Sequence, residues 1–574
     1  MMTNQHDPAA RRFRAPVSAA LSLIMILSMA VVPCAAQEST GEQLSQPTNG
    51  MVSAAHPMAS EIGAEVLKNG GNAVDAAVAV AFALGMAEPA ASGIGGYGLM
   101  LVYDASTGKT TSINYLGECP GGMTLEMHRP ENKGPAAAKG MTGNLATVPG
   151  FVAGMLKANA MFGTKGMDEL LTPAIDLAEN GVEVSAFMAE QYLNYSDSLI
   201  LNPETERVFT YEGFPYMEGD IFTNPDYANT LRLIAEKGFD GFYRGEVAQD
   251  IVTSLQKAGG VMTLDDLSNY TVEIGKPYTT DYRGYQVAAA PAPSNGAVVL
   301  ASLNLAELFP IGSYEHNSPK YLHLWSEIFK TAFGDNVSYI YDPDFRDETG
   351  AIGMTTKAYA RSRKNLIKMD SCLSIGPTGY PFLYAPKEIE SHTTHLSVID
   401  KDGNMVSMTN SNGNFFGCQV AVQNRGFLMN NVTLDYTLTH EKPQAGLKPR
   451  SNMCPVMLFY PDGTPYAALG TPGSQRIITT DTLLVSNMID FNMNLQSALD
   501  APRFYQGRRG ATLTLEGGIG ADTLKALEEM GHTVKEYSPE LSDYFGGAHA
   551  VSRDQNGVFH GAADPRRSGA AVGY

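Results

Sequence analysis

The sequence is short of several things at once. It has five cysteines in 574 residues, with no CxxC pair and no close spacing, which argues against zinc ribbons and dense disulfide scaffolds. Basic residues are scarce: 40 Lys+Arg stand against 60 Asp+Glu, a formal charge of −20. No basic stripe relieves that balance, so the phosphates of a nucleic acid have nothing to meet. Beyond the first 36 residues no apolar run approaches the ~18 residues needed to cross a bilayer. Charged residues are only 17% of the chain against 44% hydrophobic, which excludes a disordered tail and leaves ample material for a core. HExxH, GxSxG and P-loop motifs are all missing. The 11 histidines show no metal-ligand spacing.

What is there begins with a leader. Arg11, Arg12 and Arg14 precede an uncharged stretch with the apolar core Leu21–Val32, then Cys34-Ala35-Ala36 before Gln37. That plan predicts a secretory signal, residues 1–36, cut after Ala36 and leading to the periplasm or outside. Removing it leaves 538 residues at a charge of −22, with Cys119, Cys372, Cys418 and Cys454. An oxidising compartment permits a disulfide among them, but sequence does not pair them. Isolated thiols of this kind more often serve as small buried hydrophobes.

At ~150 residues per domain the length alone suggests three or four domains. The patterns divide it differently. Residues 59–87 read as one or two helices, with Gly70-Gly71 ending the first and Asn72 capping a second that is apolar on nearly every face. Gly93-Ile-Gly95-Gly-Tyr-Gly98 satisfies GxGxxG but lies between a helix and a strand, the reverse of a dinucleotide fingerprint. Its glycines read as a close approach of helix and sheet. Residues 148–183, 225–258 and 318–340 read as mostly helical, and 278–290 as strand. Pro291–Gly296 forms a loop into another apolar helix, and 371–392 reads as an exposed linker. After it strands dominate, at 395–399, 405–409, 426–429, 455–460 and 467–469. Helices follow at 475–489, 496–500 and 521–531.

Where the linker meets the first of these strands stands Ser391-His392-Thr393-Thr394-His395. Asp402-Gly403 is the strongest hairpin signal in the chain. A two-residue turn there sets Lys401 opposite Asn404, Thr393 opposite Asn412 and Thr394 opposite Ser411. Hydroxyls thus gather at the open end of a hairpin. Threonine pairs are also ordinary sheet stabilisers, so spacing alone leaves both meanings open.

Motifs settle the weight. They include Gly50–Ser60, Gly70–Ala77, Glu88-Pro89, Ser92–Gly96, Val148–Gly150, Asp281–Tyr285, Pro291–Ser294, Thr393-Thr-His395, Gly473–Thr480 and Asp564-Pro-Arg-Arg567. With these in order from about Gly50 to Tyr574, the chain resembles the gamma-glutamyltransferase (glutathione hydrolase) proenzymes of the N-terminal-nucleophile superfamily. The resemblance implies an α+β fold, a four-layer αββα sandwich. It implies a precursor cut between His392 and Thr393 into a large subunit, 37–392, and a small one, 393–574, which stay together as a heterodimer. Thr393 would be the nucleophile, Ser411 its hydroxyl partner, and Gly473-Ser474 the oxyanion hole, where the family usually has Gly-Gly. Asp435 would meet the substrate α-amine, with Ser451-Asn452 at the family's Ser-Ser pair. No metal or organic cofactor is implied, and the substrate would be a gamma-glutamyl amide or a related small molecule.

Recognition residues match less well than machinery. The family's carboxylate-binding Arg falls at Leu116, so the bidentate anchor is missing. An Asn contact falls at Gly413, and an acidic or amide residue at Val432. Three readings stay open: a gamma-glutamyl enzyme holding the carboxylate otherwise, an acylase or amidohydrolase for another amide, or an uncut binding protein.

Overall fold

The helix Ala73–Ala87 is buried at every position. A helix apolar all round belongs inside a core rather than at its surface. Its start is fixed by a capping box: the Asn72 side chain accepts from the Val74 and Asp75 N–H groups, and the Asp75 carboxylate accepts from the Asn72 N–H. Asp400, from a distant strand, accepts the Ala73 N–H at 2.9 Å. Helix and hairpin are thereby tied at the same corner.

In this computed structural model the described residues are 47–128, 142–374, 392–433, 436, 442–507, 512–538 and 540–574. Two large sheets face each other. The first has seven strands in the order Ala570–Gly573, Gly50–Ala54, His392–Asp400, Met405–Gly413, Tyr97–Asp104, Lys109–Tyr115 and Glu273–Gly275. The second has six, Phe559–Ala563, His549–Arg553, Pro465–Gly470, Val456–Phe459, Tyr285–Ala289 and Tyr278–Tyr282. Strand alternation sorts the side chains. Leu396, Val398, Val406 and Met408 join the helix Ala73–Ala87 in one core. Ile399 and Met405 point the other way, to Met457 and Ala468 of the second sheet. The helices Gly296–Ala306 and Arg476–Ile489 cover the second sheet's outer face. The layers are α, β, β, α, as expected.

The first sheet interleaves chain from either side of residue 392. Gly50–Ala54 lies between Ala570–Gly573 and His392–Asp400, paired antiparallel to both. Of the sequence expectations, the two helices of 59–87 appear as Pro57–Lys68 and Ala73–Ala87. Residues 426–429 form no strand; Leu428 makes only an isolated bridge to Ala421. The linker expected at 371–392 falls mostly outside the described residues. Cys119, Cys418 and Cys454 are buried free thiols, and Cys372 is free and half-buried.

The hairpin differs from expectation by one residue. Asp400 pairs with Asn404 across a three-residue loop, with Gly403 at φ 87°. The Asp400 carboxylate accepts from the Asp402 and Asn404 N–H groups and from Asn404 Nδ2. That side chain, more than the Asp-Gly pair, sets the loop length, and three-residue loops end on such a left-handed glycine. The shift puts Thr393 opposite Ser411 and Thr394 opposite Asn410.

Candidate active site

Because register is fixed at the loop, everything at the hairpin's open end is fixed too. Thr393 and Ser411 are directly opposed and both buried. Thr393 Oγ1 donates to Ser411 Oγ at 3.4 Å, and Ser411 Oγ accepts the Gly413 N–H at 2.8 Å. Tyr97 is the next residue in the row, opposite Ser411. Neighbouring strands lie ~4.8 Å apart, so this row spans roughly 10 Å.

The glycines before Tyr97 make that row possible. A Cβ on Gly96 would fall 2.6 Å from the Ser411 carbonyl oxygen and 2.7 Å from Asn412 Oδ1. The run is a close approach of backbone to sheet, as its order in the chain suggested.

His395 stands two residues beyond Thr393, but its ring is occupied. Nδ1 lies 2.8 Å from Thr409 Oγ1 and Nε2 3.0 Å from Ser397 Oγ. Burial, aided by His549, pushes its pKa well below the usual histidine range. It is a neutral strut between the sheets, not a base for Thr393.

Gly473 and Ser474 follow the strand Pro465–Gly470, which packs across the space between the sheets on His392–Asp400. Both have left-handed backbone, φ 128° and 56°. For Ser474 that geometry costs about 1–2 kcal/mol; such strain clusters at functional sites. The helix Arg476–Ile489 starts directly after, so its N-terminal dipole favours negative charge beside this loop.

Ser451 and Asn452 sit against a loop of the other half of the chain. Ser451 exchanges backbone hydrogen bonds with Pro293 and Asn295, and Asn452 Oδ1 accepts from Asn295 Nδ2 at 2.5 Å. These contacts seat the pair on the Pro291–Gly296 loop. Asp435 lies outside the described residues, as does the chain immediately before His392.

Two of the departures from the family pattern fall in one cluster. Leu116 and Val432, 0% and 2% exposed, share one apolar cluster with Tyr97, Leu99, Ala290 and Met453. Leu116 follows the strand whose Tyr115 pairs with Gly98, so it stands beside Tyr97 in the nucleophile's own row. The sequence marks each position singly; only the fold brings them into one cluster.

Sequence reasoning missed roles for two motif residues. Glu88 Oε2 accepts from Thr394 Oγ1 at 3.0 Å, and Arg567 Nη1 donates to the Thr393 carbonyl at 3.0 Å. Both lie in segments that carried the resemblance, which was the available signal. Burial raises the Glu88 pKa to about 7, against the lowering influence of Arg567 and the Thr394 hydrogen bond.

Two groups of ligating side chains gather elsewhere: His323, Glu327 and His532, and Glu273, Asp342 and Asp344. Each already holds an ammonium. Lys330 pairs with Glu327 and lies 2.9 Å from Cys372 Sγ. Lys448 pairs with Glu273, and with Glu118 at 3.0 Å.

A buried threonine opening a strand of an αββα sandwich, beside a second hydroxyl, defines the class of N-terminal-nucleophile hydrolases. Within it, the sequence profile of the gamma-glutamyltranspeptidase family matches residues 59–574, and the chain belongs to that family. It is 36% identical to the glutathione hydrolase proenzyme of Bacillus subtilis (strain 168), over 93% of this chain and 92% of that protein. It is 33% identical to the acylase ACY 1 proenzyme of Pseudomonas sp. (strain SE83), over 94% and 96%. Among solved structures, the cephalosporin acylase from Bacillus halodurans superposes with TM-score 0.83 at 29% identity, covering 95% of this chain and 99% of that one. The Helicobacter pylori gamma-glutamyltranspeptidase gives TM-score 0.53 at 34% identity, over 55% of this chain and 91% of that one.

Proposed function

We propose that the protein, a self-processing amidohydrolase of the gamma-glutamyltransferase type, is activated by cleavage of its own His392–Thr393 bond. The observation that carries this reading is Thr393 Oγ1 buried against Ser411 Oγ at the start of a central strand. In the precursor, Thr393 Oγ attacks the His392 carbonyl carbon. The acyl group passes from nitrogen to oxygen, and water then hydrolyses the ester. The products are a carboxylate on His392 and an α-amine on Thr393.

That amine is the base a threonine hydroxyl needs. With a reference pKa of ~7.7–8.0 it is partly unprotonated near neutrality. It takes the Oγ proton as Oγ attacks the substrate amide. The Gly473 and Ser474 N–H groups receive the developing oxyanion; one such donor is typically worth about 2.7–4 kcal/mol. The proton goes on to the leaving amine, and an acyl ester remains on Thr393. Water completes hydrolysis; an amine acceptor completes transfer. Ser411 orients Oγ, while Asp435, Ser451 and Asn452 are assigned to the substrate.

A gel of the denatured protein should resolve two chains, 37–392 and 393–574, the smaller reading Thr-Thr-His-Leu at its start. Thr393→Ala should remain one inactive chain. A wild-type protein uncut, or cut elsewhere, sinks the mechanism. The basic and apolar leader supports export to the periplasm or beyond; among the described residues no helix is long and apolar enough to cross a membrane.

One observation favours a second reading of the substrate. Leu116 and Val432 are buried in an apolar cluster, so position 116 offers no charge to a gamma-glutamyl carboxylate, which favours an acyl group without one. Similarity to acylases as well as to glutathione hydrolases supports keeping both. Three amides of one aniline separate them: gamma-glutamyl, glutaryl (carboxylate without amine) and butyryl (neither). A rate falling steeply along that series marks a gamma-glutamyl enzyme. A butyryl rate equal to or above the gamma-glutamyl rate marks an acylase.

A further inference from the structure

Cleavage makes Thr393 a chain terminus. Termini fray unless tied down, yet a nucleophile misplaced by 1 Å loses about a hundredfold in rate. Something must hold residue 393 once its bond to His392 is gone. On its own face the Thr393 hydroxyl meets Ser411 Oγ at 3.4 Å, a long hydrogen bond. The opposite face of the sheet is where the grip lies.

We infer that Glu88, acting with Arg567, is a positioning residue for the nucleophile. The inference rests on Thr393 filling that role. Glu88 closes the helix Ala73–Ala87 as its C-cap residue, so its backbone is anchored in the deepest part of the core. Its Oε2 accepts from Thr394 Oγ1 at 3.0 Å. Arg567 Nη1 donates to the Thr393 carbonyl at 3.0 Å. The two side chains thus take adjacent groups of the same dipeptide, one by its side chain and one by its backbone. Thr394 points to the helix layer, away from Thr393 Oγ, so Glu88 cannot touch substrate.

The neighbouring segment strengthens the grip on the partner strand. Pro89 O accepts from Asn412 Nδ2 at 3.1 Å, and Ala91 O from the Asn412 N–H at 3.0 Å. Residues 88–91 therefore hold both strands of the hairpin at its open end.

The electrostatics make the grip titratable. Glu88 is wholly buried, its Oε1 has no hydrogen-bond partner among the described residues, and its pKa is raised to about 7. Arg567 and Thr394 are the groups that act on it. Arg567 in turn feels Asp543, Asp564 and Arg476. Ionised, Glu88 is the counter-charge of Arg567 and the acceptor for Thr394. Protonated, it loses that charge, and the anchor loosens as pH falls through about 7.

The test is Glu88→Gln in the processed enzyme, with kcat and KM measured across pH. Gln keeps shape and an acceptor but has no charge. Expected is a kcat about tenfold to a hundredfold lower with KM within twofold. The wild-type acid limb of kcat should be steeper than one ionisation, because the α-amine and Glu88 both titrate. The variant's should fall to a single ionisation. An unchanged kcat, an unchanged slope, or a loss confined to KM overturns the inference. Thr394→Val decides the matter if Glu88→Gln fails to fold or mature: it leaves Glu88 and Arg567 in place and removes one bond. It should lower kcat severalfold at constant KM, and wild-type kcat would overturn the proposal. Sequencing of the small subunit keeps the two claims apart. A start other than Thr393 refutes the nucleophile, whereas a Thr393 start with indifferent variants refutes only Glu88.

Discussion

At the scale of residues, the proposed mechanism asks different things of Ser411 and Leu116. Ser411 is proposed to orient the nucleophile. Ser411→Ala removes the acceptor for Thr393 Oγ and for the Gly413 N–H. One such hydrogen bond is worth about 1–1.5 kcal/mol, so kcat should drop around tenfold with little change in KM. Leu116 stands where the resemblance puts the family's carboxylate-binding Arg, and it is fully buried. Leu116→Arg restores the family's cation but places it in the buried apolar cluster of Tyr97, Val432 and Met453. Burying an unpaired charge costs about 3–5 kcal/mol. The variant should lose thermal stability and gain no preference for the gamma-glutamyl amide over the butyryl one; a stable, more selective variant would show that cluster to be an open pocket.

Thr393 and Ser411 stood out before the fold through the motifs that carry the resemblance; the hairpin count by itself set Ser411 opposite Thr394, one residue off the observed register. The shared cluster of Leu116 and Val432, 316 positions apart in the chain, was not visible, since no local pattern records which segments become neighbours. Glu88 and Arg567 were visible only as members of motifs. Their work depends on meeting the same dipeptide from different segments of chain.

At the scale of elements, the hairpin 392–413 carries the site and its loop sets its alignment. Asp-Gly announced a turn correctly but gave its length wrongly. The Asp400 carboxylate, two residues upstream, organises three loop residues and also reaches the N-terminus of the helix Ala73–Ala87. Asp400→Ala should cost roughly 2–4 kcal/mol, read from urea unfolding of the uncut Thr393→Ala form. It should also slow cleavage in the otherwise wild-type precursor, because a register slip moves Ser411 off Thr393. Helices were the easier elements to read. Ala73–Ala87 declares itself by Asn72 and by an apolar character on every side. Gly50–Ala54, five residues forming the second strand from one edge of the first sheet, is too short and too small in its side chains to stand out.

At the scale of the molecule, the length that suggested several domains describes one sandwich in two proposed pieces. Strands from before and after residue 392 alternate in the first sheet, with Gly50–Ala54 hydrogen-bonded on both edges to the later segment. Cutting the bond after His392 severs that strand at its first residue, which pairs with Gly413, and leaves the ladder from Thr393 onward in place, so the two chains should travel as a single particle in gel filtration and separate only in denaturant.

The same interleaving gives the mature enzyme a memory that its parts lack. As a precursor, the chain closes its sheet by an intramolecular event. After cleavage, the same closure needs an encounter between two molecules, each carrying unpaired strand edges that invite misassembly. Unfolding of the cut enzyme should therefore depend on protein concentration and reverse poorly, while uncut Thr393→Ala refolds at a concentration-independent midpoint. Calorimetry of the two forms over a hundredfold dilution reads this directly; identical, dilution-independent midpoints would mean that the pieces fold alone. Maturation is in this sense a ratchet: the architecture is reachable only from the form that cannot yet work.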